Sequence, residues 1–290
     1  MSMKKLLSAV LSTAMIFCLV VPAWAQPDND TCPFAVSTPT FPDAYILIED
    51  DDNEIRALND DEYEDSITVT VFVSERWDTI NGERVVVESR LLSKEEVDEI
   101  GIENLGAVTR AGLKSEETYG KLTLRIGGTC QVTGQKSIVN VSARATWDGE
   151  SLMGENGPAK GKDYMGYVWG GNFSVANART KATSSLGKDV TMTQDKVFPG
   201  AGVVWNFDEF IPRASGNELN DYAKYIDADL SLQKNSMTGN GNVTDVVCQY
   251  IHTYQTVKGS IALSSSGLSF SLSETPAQWP ISVVYSNARY

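Results

Sequence analysis

His252 is the only histidine in the chain, so any chemistry that needs an imidazole has to use it. A catalytic triad would also need a nucleophile, and no Gly-x-Ser-x-Gly motif accompanies it. Strand alternation places His252 on one face with Tyr250 and Tyr254. A lone histidine between tyrosines is typical of a packed, hydrogen-bonded side chain, and the sequence favours that role over catalysis.

Two pairs of carboxylates could cleave a glycosidic bond. Asp227 and Asp229 share the polar face of a predicted strand, about 6.5–7 Å apart along it. Asp208 and Glu209 follow the segment Trp205-Asn206-Phe207, which offers aromatic surface beside carboxylates. Either pair is also what a solvent-facing strand or turn contains, and the sequence favours this simpler interpretation.

Four aromatic residues lie near the glycine-rich stretches 149–161 and 170–172: Tyr164, Tyr167, Trp169 and Trp205. Exposed aromatic rings near loops can stack on sugars, which makes these residues candidates for ligand binding. Aromatic residues inside a β-sandwich core are more common, so packing is the competing interpretation.

The sequence predicts no metal site and no cofactor, because one histidine cannot supply a multi-histidine centre and no cysteines have ligand spacing. Two acidic clusters, residues 49–54 and 60–65, leave Ca²⁺ as an alternative. Counted from Asp50, however, the position that needs glycine in a calcium loop is Ile55.

The first residues have the three parts of a secretory signal peptide. Lys4 and Lys5 precede an uncharged apolar run, residues 6–21, and Ala23-Trp24-Ala25 resembles a cleavage site. We expect cleavage after Ala25, no integral membrane segment in the mature chain, and a protein that is secreted or at the cell surface.

Three cysteines follow the signal peptide: Cys32, Cys130 and Cys248. An exported protein meets an oxidising compartment, and two of these residues, Cys130 and Cys248, lie in or beside predicted strands. We therefore predict a disulfide between Cys130 and Cys248, with Cys32 as an unpaired thiol.

The net charge of −14 is unevenly distributed. Residues 26–120 hold 24 acidic and 7 basic side chains, whereas residues 121–290 hold 14 acidic and 15 basic ones. An acidic front part repels phosphate backbones, which argues against nucleic-acid binding. The classes of partner that remain compatible with the sequence are carbohydrate and another surface protein.

Strand signals dominate the rest of the chain. Ile67, Val69, Val71 and Val73 alternate with polar residues, and Asn81-Gly82 favours a tight turn before a returning strand. Similar alternation recurs to the end, from the long strand with Val139, Val141, Ala143, Ala145 and Trp147 to residues 281–285. The pattern predicts a mostly β fold, an antiparallel β-sandwich or a barrel-like variant of it.

One short helix is predicted near residues 94–100. Ser93 and Glu96 have the spacing of a capping box, and Gly101 is placed to end the helix. We divide the chain into a signal peptide (1–25), an extended leader (26–43), an acidic hairpin and helix region (44–118) and an all-β sandwich (119–290).

These features favour an exported, non-enzymatic β-protein that binds a partner or forms part of the cell surface. The first alternative is a carboxylate-dependent hydrolase of extracellular polysaccharide. The second is a β-barrel or pore-forming protein, although Ser282, Ser286 and Ala288 are poor lipid-facing residues. A cleft with two carboxylates, an exposed aromatic strip or an apolar outer belt would distinguish the three.

Overall fold

A computed structural model describes residues 33–50, 65–102, 117–133, 135–148, 161–211, 221–235, 243–255, 260–264, 269–272 and 277–289. Outside the described residues lie the predicted signal peptide, residues 26–32 of the leader with Cys32, residues 51–64 with most of the two acidic clusters, and residues 149–160.

The described strands form two large antiparallel sheets and a small hairpin. A six-stranded sheet has the order β1-β17-β14-β7-β11-β10. The nine-stranded sheet has the order β2-β3-β5-β6-β13-β8-β9, with β4 beside β3 and β12 beside β13. The strands are β1 Phe34–Ser37, β2 Ile46–Asp50, β3 Asp65–Ile80, β4 Glu83–Leu91, β5 Glu117–Thr133, β6 Lys136–Asp148, β7 Lys162–Trp169, β8 Ser174–Ser184, β9 Asp189–Val190, β10 Met192–Phe198, β11 Gly202–Asp208, β12 Phe210–Ile211, β13 Asp221–Asn235, β14 Val243–Thr253, β15 Ile261–Leu263, β16 Phe270–Leu272 and β17 Gln278–Arg289.

The main core lies between the two large sheets and is built from alternate residues of their strands. On β3, for example, Ile67, Val69, Val71 and Val73 are fully buried. The same alternation on β6 buries Val139, Val141, Ala143, Ala145 and Trp147. Burial of one face of each sheet against the other is what makes this period-two pattern stable.

Smaller elements cover parts of the outer faces. The β15–β16 hairpin packs Ile261, Phe270 and Leu272 on the six-stranded sheet, which is therefore apolar on both faces. Helix α1 (Lys94–Ile100) packs Val97 against Phe72 of the nine-stranded sheet.

The predicted fold class and helix are confirmed: the chain is mostly β, with antiparallel sheets packed as a sandwich. Ser93 accepts a hydrogen bond from the Glu96 amide, and the Glu96 side chain accepts one from the Ser93 amide, which completes the capping box. Gly101 ends the helix at φ +80°. The Asn81-Gly82 turn between β3 and β4 has φ values of 55° and 83°.

The proposed boundary between residues 44–118 and 119–290 stays a prediction, since residues 103–116 lie outside the described part. Strand β3 pairs with β5 from Asp65 to Arg76, so the two predicted parts share one sheet. The described residues contain no helical segment with the length and hydrophobicity of a membrane span.

The predicted Cys130–Cys248 disulfide is not formed. Cys130 lies on β5 of the nine-stranded sheet and Cys248 on β14 of the six-stranded sheet, and both are thiols. The alternation of apolar and polar residues correctly placed each cysteine in a strand. Two cysteines in opposite sheets can form a disulfide only if they lie at the same position along the sandwich, and the alternation does not give that position. Burial raises the pKa of the Cys248 thiol to about 12.

Candidate functional site

Four ionisable side chains meet at one end of the sandwich interior: Glu75 on β3, Asp163 on β7, Glu209 after β11 and His252 on β14. Each extends a run of inward-facing apolar residues on its strand, Asp163 at the start of its run and the other three at the end, so each points between the sheets. These runs are Ile67, Val69, Val71 and Val73 on β3; Met165, Tyr167 and Trp169 on β7; Val203, Trp205 and Phe207 on β11; and Val246, Cys248 and Tyr250 on β14.

The pairing register brings these strand ends to the same place. Asp163 lies opposite Phe207, two residues before Glu209, in the β7–β11 ladder. Glu209 sits where the chain leaves the six-stranded sheet and enters the nine-stranded sheet through β12. We call Glu75, Asp163, Glu209 and His252 the interior cluster.

His252 is contacted by carboxylates from both sides of its ring. Its Nε2 lies 3.2 Å from Glu75 Oε1, and its Nδ1 lies 3.2 Å from Asp163 Oδ2. Glu209 Oε2 is 3.8 Å from Nδ1. The exposed fraction is 0% for His252, Asp163 and Glu209 and 1% for Glu75, so the cluster is closed to solvent.

Asp163 is held in place by hydrogen bonds. The Tyr250 hydroxyl donates to Oδ2 at 2.5 Å, and the Thr253 amide donates to Oδ1 at 2.9 Å. Trp147 in turn donates from Nε1 to the Tyr250 hydroxyl oxygen at 2.9 Å. The carboxylate of Asp163 is therefore pre-positioned toward His252 before any ligand is considered.

Two indole rings enclose His252. The centroids of Trp147 and Trp279 lie 5.2 Å and 5.0 Å from that of the imidazole. Trp279 is itself fixed by a hydrogen bond from its Nε1 to Ser89 Oγ at 3.0 Å. These apolar walls keep water out, which strengthens every electrostatic interaction within the cluster.

The pKa values of His252, Glu209 and Tyr250 are raised. Burial would lower the pKa of His252, but the negative charges of Asp163 and Glu209 and the hydrogen bonds of Asp163 and Glu75 raise it well above its usual value. Burial, and then the charge of Asp163, raise the pKa of Glu209 well above its usual value. The pKa of Tyr250 is also raised, by burial and by the charges of Asp163 and Glu209.

Three carboxyl groups thus share one imidazole, and not all of their oxygens are satisfied. Among the described residues, both oxygens of Glu209 and Oε2 of Glu75 are buried and have no hydrogen-bond partner. Buried carboxyl oxygens in this state are unusual, because desolvation is not offset by a donor. Chemically, the arrangement can hold a positive charge, either a proton on His252 or a cation among the carboxylates.

The two carboxylate pairs that the sequence suggested for sugar cleavage lie in different parts of the structure. Asp227 and Asp229 lie on the outer face of β13, where Arg144 binds Asp227 at 2.6 Å and 3.1 Å and Ser142 donates to Asp229 at 2.5 Å. Asp208 is exposed and 3.7 Å from a lysine ammonium. Of the four, only Glu209 enters the interior cluster.

The four aromatic candidates are all buried. Tyr167, Trp169 and Trp205 belong to the core between the sheets, and Tyr164 lies beneath the β15–β16 hairpin. The Tyr167 hydroxyl donates to the Ala228 carbonyl at 2.6 Å. Stacking on a sugar requires an exposed ring face, and in this structure these four rings contribute to packing instead.

A groove of about 620 Å³ opens between the edges of the two large sheets. Its lining residues come from β8, β9 and β10: Arg179, Thr180, Lys181, Ala182, Asp189, Val190 and Met192. A smaller hollow of about 190 Å³ on the outer face shares Lys181 with it and is also lined by Arg144, Thr183, Tyr225 and Asp227. We call the larger feature the edge groove.

His252 and Glu209 were candidates from the sequence, whereas Glu75 and Asp163 were not. A signal for both was present, because the next inward position after Val73 is Glu75, and the inward position before Met165 is Asp163. A carboxylate that continues an apolar face is expected to be buried and partnered. The partner itself could not be read from the alternation.

No family model matches the chain, and no curated protein matches it. Among solved structures, the chain was aligned with the crystal structure of the N-terminal domain of the Streptococcus gordonii adhesin Sgo0707. The alignment has 8% sequence identity and a TM-score of 0.15, and it covers 89% of this chain and 84% of that one. Similarity at this level carries no argument about the fold or function of the present protein.

Proposed function

We propose that this chain is an exported, non-enzymatic binding protein that acts at the cell surface or in the medium. Its partner docks as an extended, acidic peptide segment of another surface protein along the edge groove. The observation that carries the proposal is the unpaired edge of β8 beside this groove. Within the described part of the chain, residues 175–181 pair with β13 on one side only.

An edge strand offers backbone donors and acceptors to an incoming strand. Strand β9 covers only Ala182 and Thr183 of β8, so most of the edge remains available. Residues 174–177 are exposed, as is most of the neighbouring edge strand β10. A peptide that adds to such an edge gains main-chain hydrogen bonds, and pockets for alternate side chains provide specificity.

The edge groove has room for side chains because the inward residues of β8 are small. Ala178, Thr180 and Ala182 face inward, opposite Leu230, Ala228 and Ile226 of β13. Half-buried Val190 and Met192 form an apolar part of its lining. An extended peptide would place every second side chain here, so we expect small or medium apolar residues at those positions.

Charge favours an acidic partner. Residues 174–198 contain four basic side chains and two acidic ones, within a chain whose net charge is −14. Arg179 and Lys181 line the edge groove directly. The remaining positions of the bound peptide, which face solvent and these cations, are therefore expected to be Asp or Glu.

The test is fluorescence anisotropy with a labelled ten-residue peptide that alternates Glu with Val. We expect saturable binding that Lys181→Glu weakens by about fivefold or more. Lys188→Glu makes the same charge change outside the groove lining and should alter the affinity by less than about twofold. Equal weakening by both variants would indicate non-specific charge attraction and would contradict docking at the groove.

Two further measurements test the rest of the proposal. N-terminal sequencing of exported material should begin at Gln26, and an intact Met1 on a soluble cytoplasmic product would contradict export. A screen on cell-wall and plant polysaccharides should show no turnover. Turnover that Asp227→Asn or Asp229→Asn abolishes in a still-folded protein would support the hydrolase instead.

A further inference from the structure

We propose that Asp163, Glu209 and His252 form a buried binding site for a divalent transition-metal ion of the zinc type. One oxygen from each carboxylate and Nδ1 of the imidazole all lie within 4.8 Å of one another. The inference does not depend on the edge groove or on the proposed binding function.

The spacing of the donor atoms fits tetrahedral coordination. Zinc–ligand distances of 2.0–2.2 Å to nitrogen and carboxylate oxygen place two tetrahedral ligands about 3.3–3.6 Å apart. His252 Nδ1 lies 3.2 Å from Asp163 Oδ2 and 3.8 Å from Glu209 Oε2. Both nitrogen–oxygen distances therefore match tetrahedral geometry to within a few tenths of an ångström. The two carboxylate oxygens, which lie within 4.8 Å of each other, would move closer together to complete a set of three protein ligands.

The unsatisfied oxygens of Glu209 are an independent indication of a cation. This side chain is fully buried and directed at His252, yet neither of its oxygens has a hydrogen-bond partner in the part of the chain that the structure describes. Hydrogen bonds hold Asp163 on the other side of Nδ1. A bound cation would satisfy both carboxylates at once, which no neighbouring donor does for Glu209.

Glu75 lies where it can orient the His252 ring without binding the metal itself. It lies 3.2 Å from Nε2, the ring nitrogen away from the other two carboxylates. A carboxylate that accepts Nε2–H fixes the tautomer and directs the Nδ1 lone pair toward Asp163 and Glu209. Carboxylate–histidine–metal arrangements of this kind orient the ring and increase its basicity as a ligand.

The donor set selects the class of ion. Calcium and magnesium prefer shells made of oxygen, whereas imidazole favours zinc and other late transition metals. One nitrogen and two carboxylate oxygens therefore favour zinc. Because the three ligands are fully buried, we expect the ion to enter while the chain folds.

The test uses untagged mature protein that is unfolded with a chelator, refolded with or without ZnCl₂ and freed of unbound metal. We expect one zinc per chain by elemental analysis and a Tm that rises by about 5–10 °C at zinc concentrations 100-fold above Kd. Since His252 is the only histidine, imidazole ¹⁵N NMR reports on the site directly, and zinc should shift the Nδ1 resonance.

Matched variants locate the site. Glu209→Gln keeps the side-chain shape and should lower zinc affinity at least about tenfold, and Glu75→Gln should lower it about 10–100-fold through ring orientation. Asp208→Asn, the exposed neighbour, should bind zinc as the wild type does. Refolded wild type without stoichiometric zinc or an Nδ1 shift would overturn the proposal, as would unchanged zinc binding in Glu209→Gln. Should that variant fail to fold, the wild-type NMR result decides.

Discussion

On the outer face of the nine-stranded sheet, Asp227 faces Arg144, whereas inside the sandwich three carboxyl groups surround His252. The Arg144 side chain is 53% exposed and that of Asp227 is 10% exposed, so water solvates the arginine end of the outer pair. Water does not reach the interior cluster, and each of its charges depends on the others. The charge of a carboxylate is thus neutralised by one neighbouring cation in the outer region. In the interior cluster, the charge of each carboxylate depends on those of the other groups.

This difference in solvation leads us to expect different properties of the two regions. A pair in which a half-exposed arginine neutralises its carboxylate contributes little free energy. A buried group with more acids than bases holds protons tightly or binds a cation. The following experiments test this contrast, ordered by the expected size of the effect on the free energy of unfolding.

Replacement of His252 should be the most damaging change. His252→Ala removes the one base of the interior cluster and leaves Glu75, Asp163 and Glu209 buried without it. We expect a loss of about 3–5 kcal/mol in the free energy of unfolding, measured by urea denaturation at pH 7 with chelator. A loss below about 1 kcal/mol would mean that the cluster relaxes without its base.

The stability of the metal-free protein should depend on pH through this cluster. The folded-state pKa values of His252 and Glu209 lie above the ordinary values of 6.5 and 4.5. Their stabilising contributions are therefore fully present below those ordinary values and are lost as the pH rises through the folded-state values. We expect the free energy of unfolding to fall above pH 6.5, with a slope of up to about 1.4 kcal/mol per pH unit for each proton.

The control for this profile is Asp227→Asn, which leaves Glu75, Asp163, Glu209, Tyr250 and His252 in place and should keep the slope. Urea denaturation at pH 6.5, 7.5 and 8.5 with chelator measures both proteins. Stability that stays constant or increases over this range would contradict the upward pKa shifts of the cluster.

Loss of the outer pair should have a smaller effect. Asp227→Asn removes the negative charge that accepts two hydrogen bonds from Arg144, but the half-exposed arginine side chain can be solvated by water instead. We expect a loss of about 1–2 kcal/mol in the free energy of unfolding by the same urea measurement. A loss as large as that for His252→Ala would remove the proposed distinction between the two regions.

Cys130 and Cys248 allow a comparison of a half-buried and a buried site by chemical reactivity, without any substitution. Cys248 is fully buried with a thiol pKa of about 12, whereas Cys130 is half-buried. Thiolate is the reactive form, so iodoacetamide at pH 8 should modify Cys130 at least about 100-fold faster than Cys248. Peptide mass mapping measures both rates, and in urea they should become similar. Comparable rates in the folded protein would contradict the burial of Cys248.

Strand register explains what the sequence missed at the interior cluster. Extending the alternation of β3 to Glu75 and of β7 to Asp163 would have predicted that both carboxylates are buried. It would not have predicted their meeting, because Glu75 and His252 are 177 residues apart. The predicted disulfide failed for a similar reason, since strand positions were known but their relative placement across the sandwich was not.

Local patterns in the sequence by themselves determined the mostly β class, the Asn81-Gly82 turn and the capped helix Lys94–Ile100. Each of these rests on residues within a few positions of one another, through backbone angles, capping hydrogen bonds or period-two burial. Only the tertiary structure decided that Glu75, Asp163 and Glu209 surround His252. It also decided that, among the described residues, the 175–181 segment of β8 pairs on one side only. Both depend on which strands become neighbours and in what register, and that choice is made by the packing of the whole sandwich.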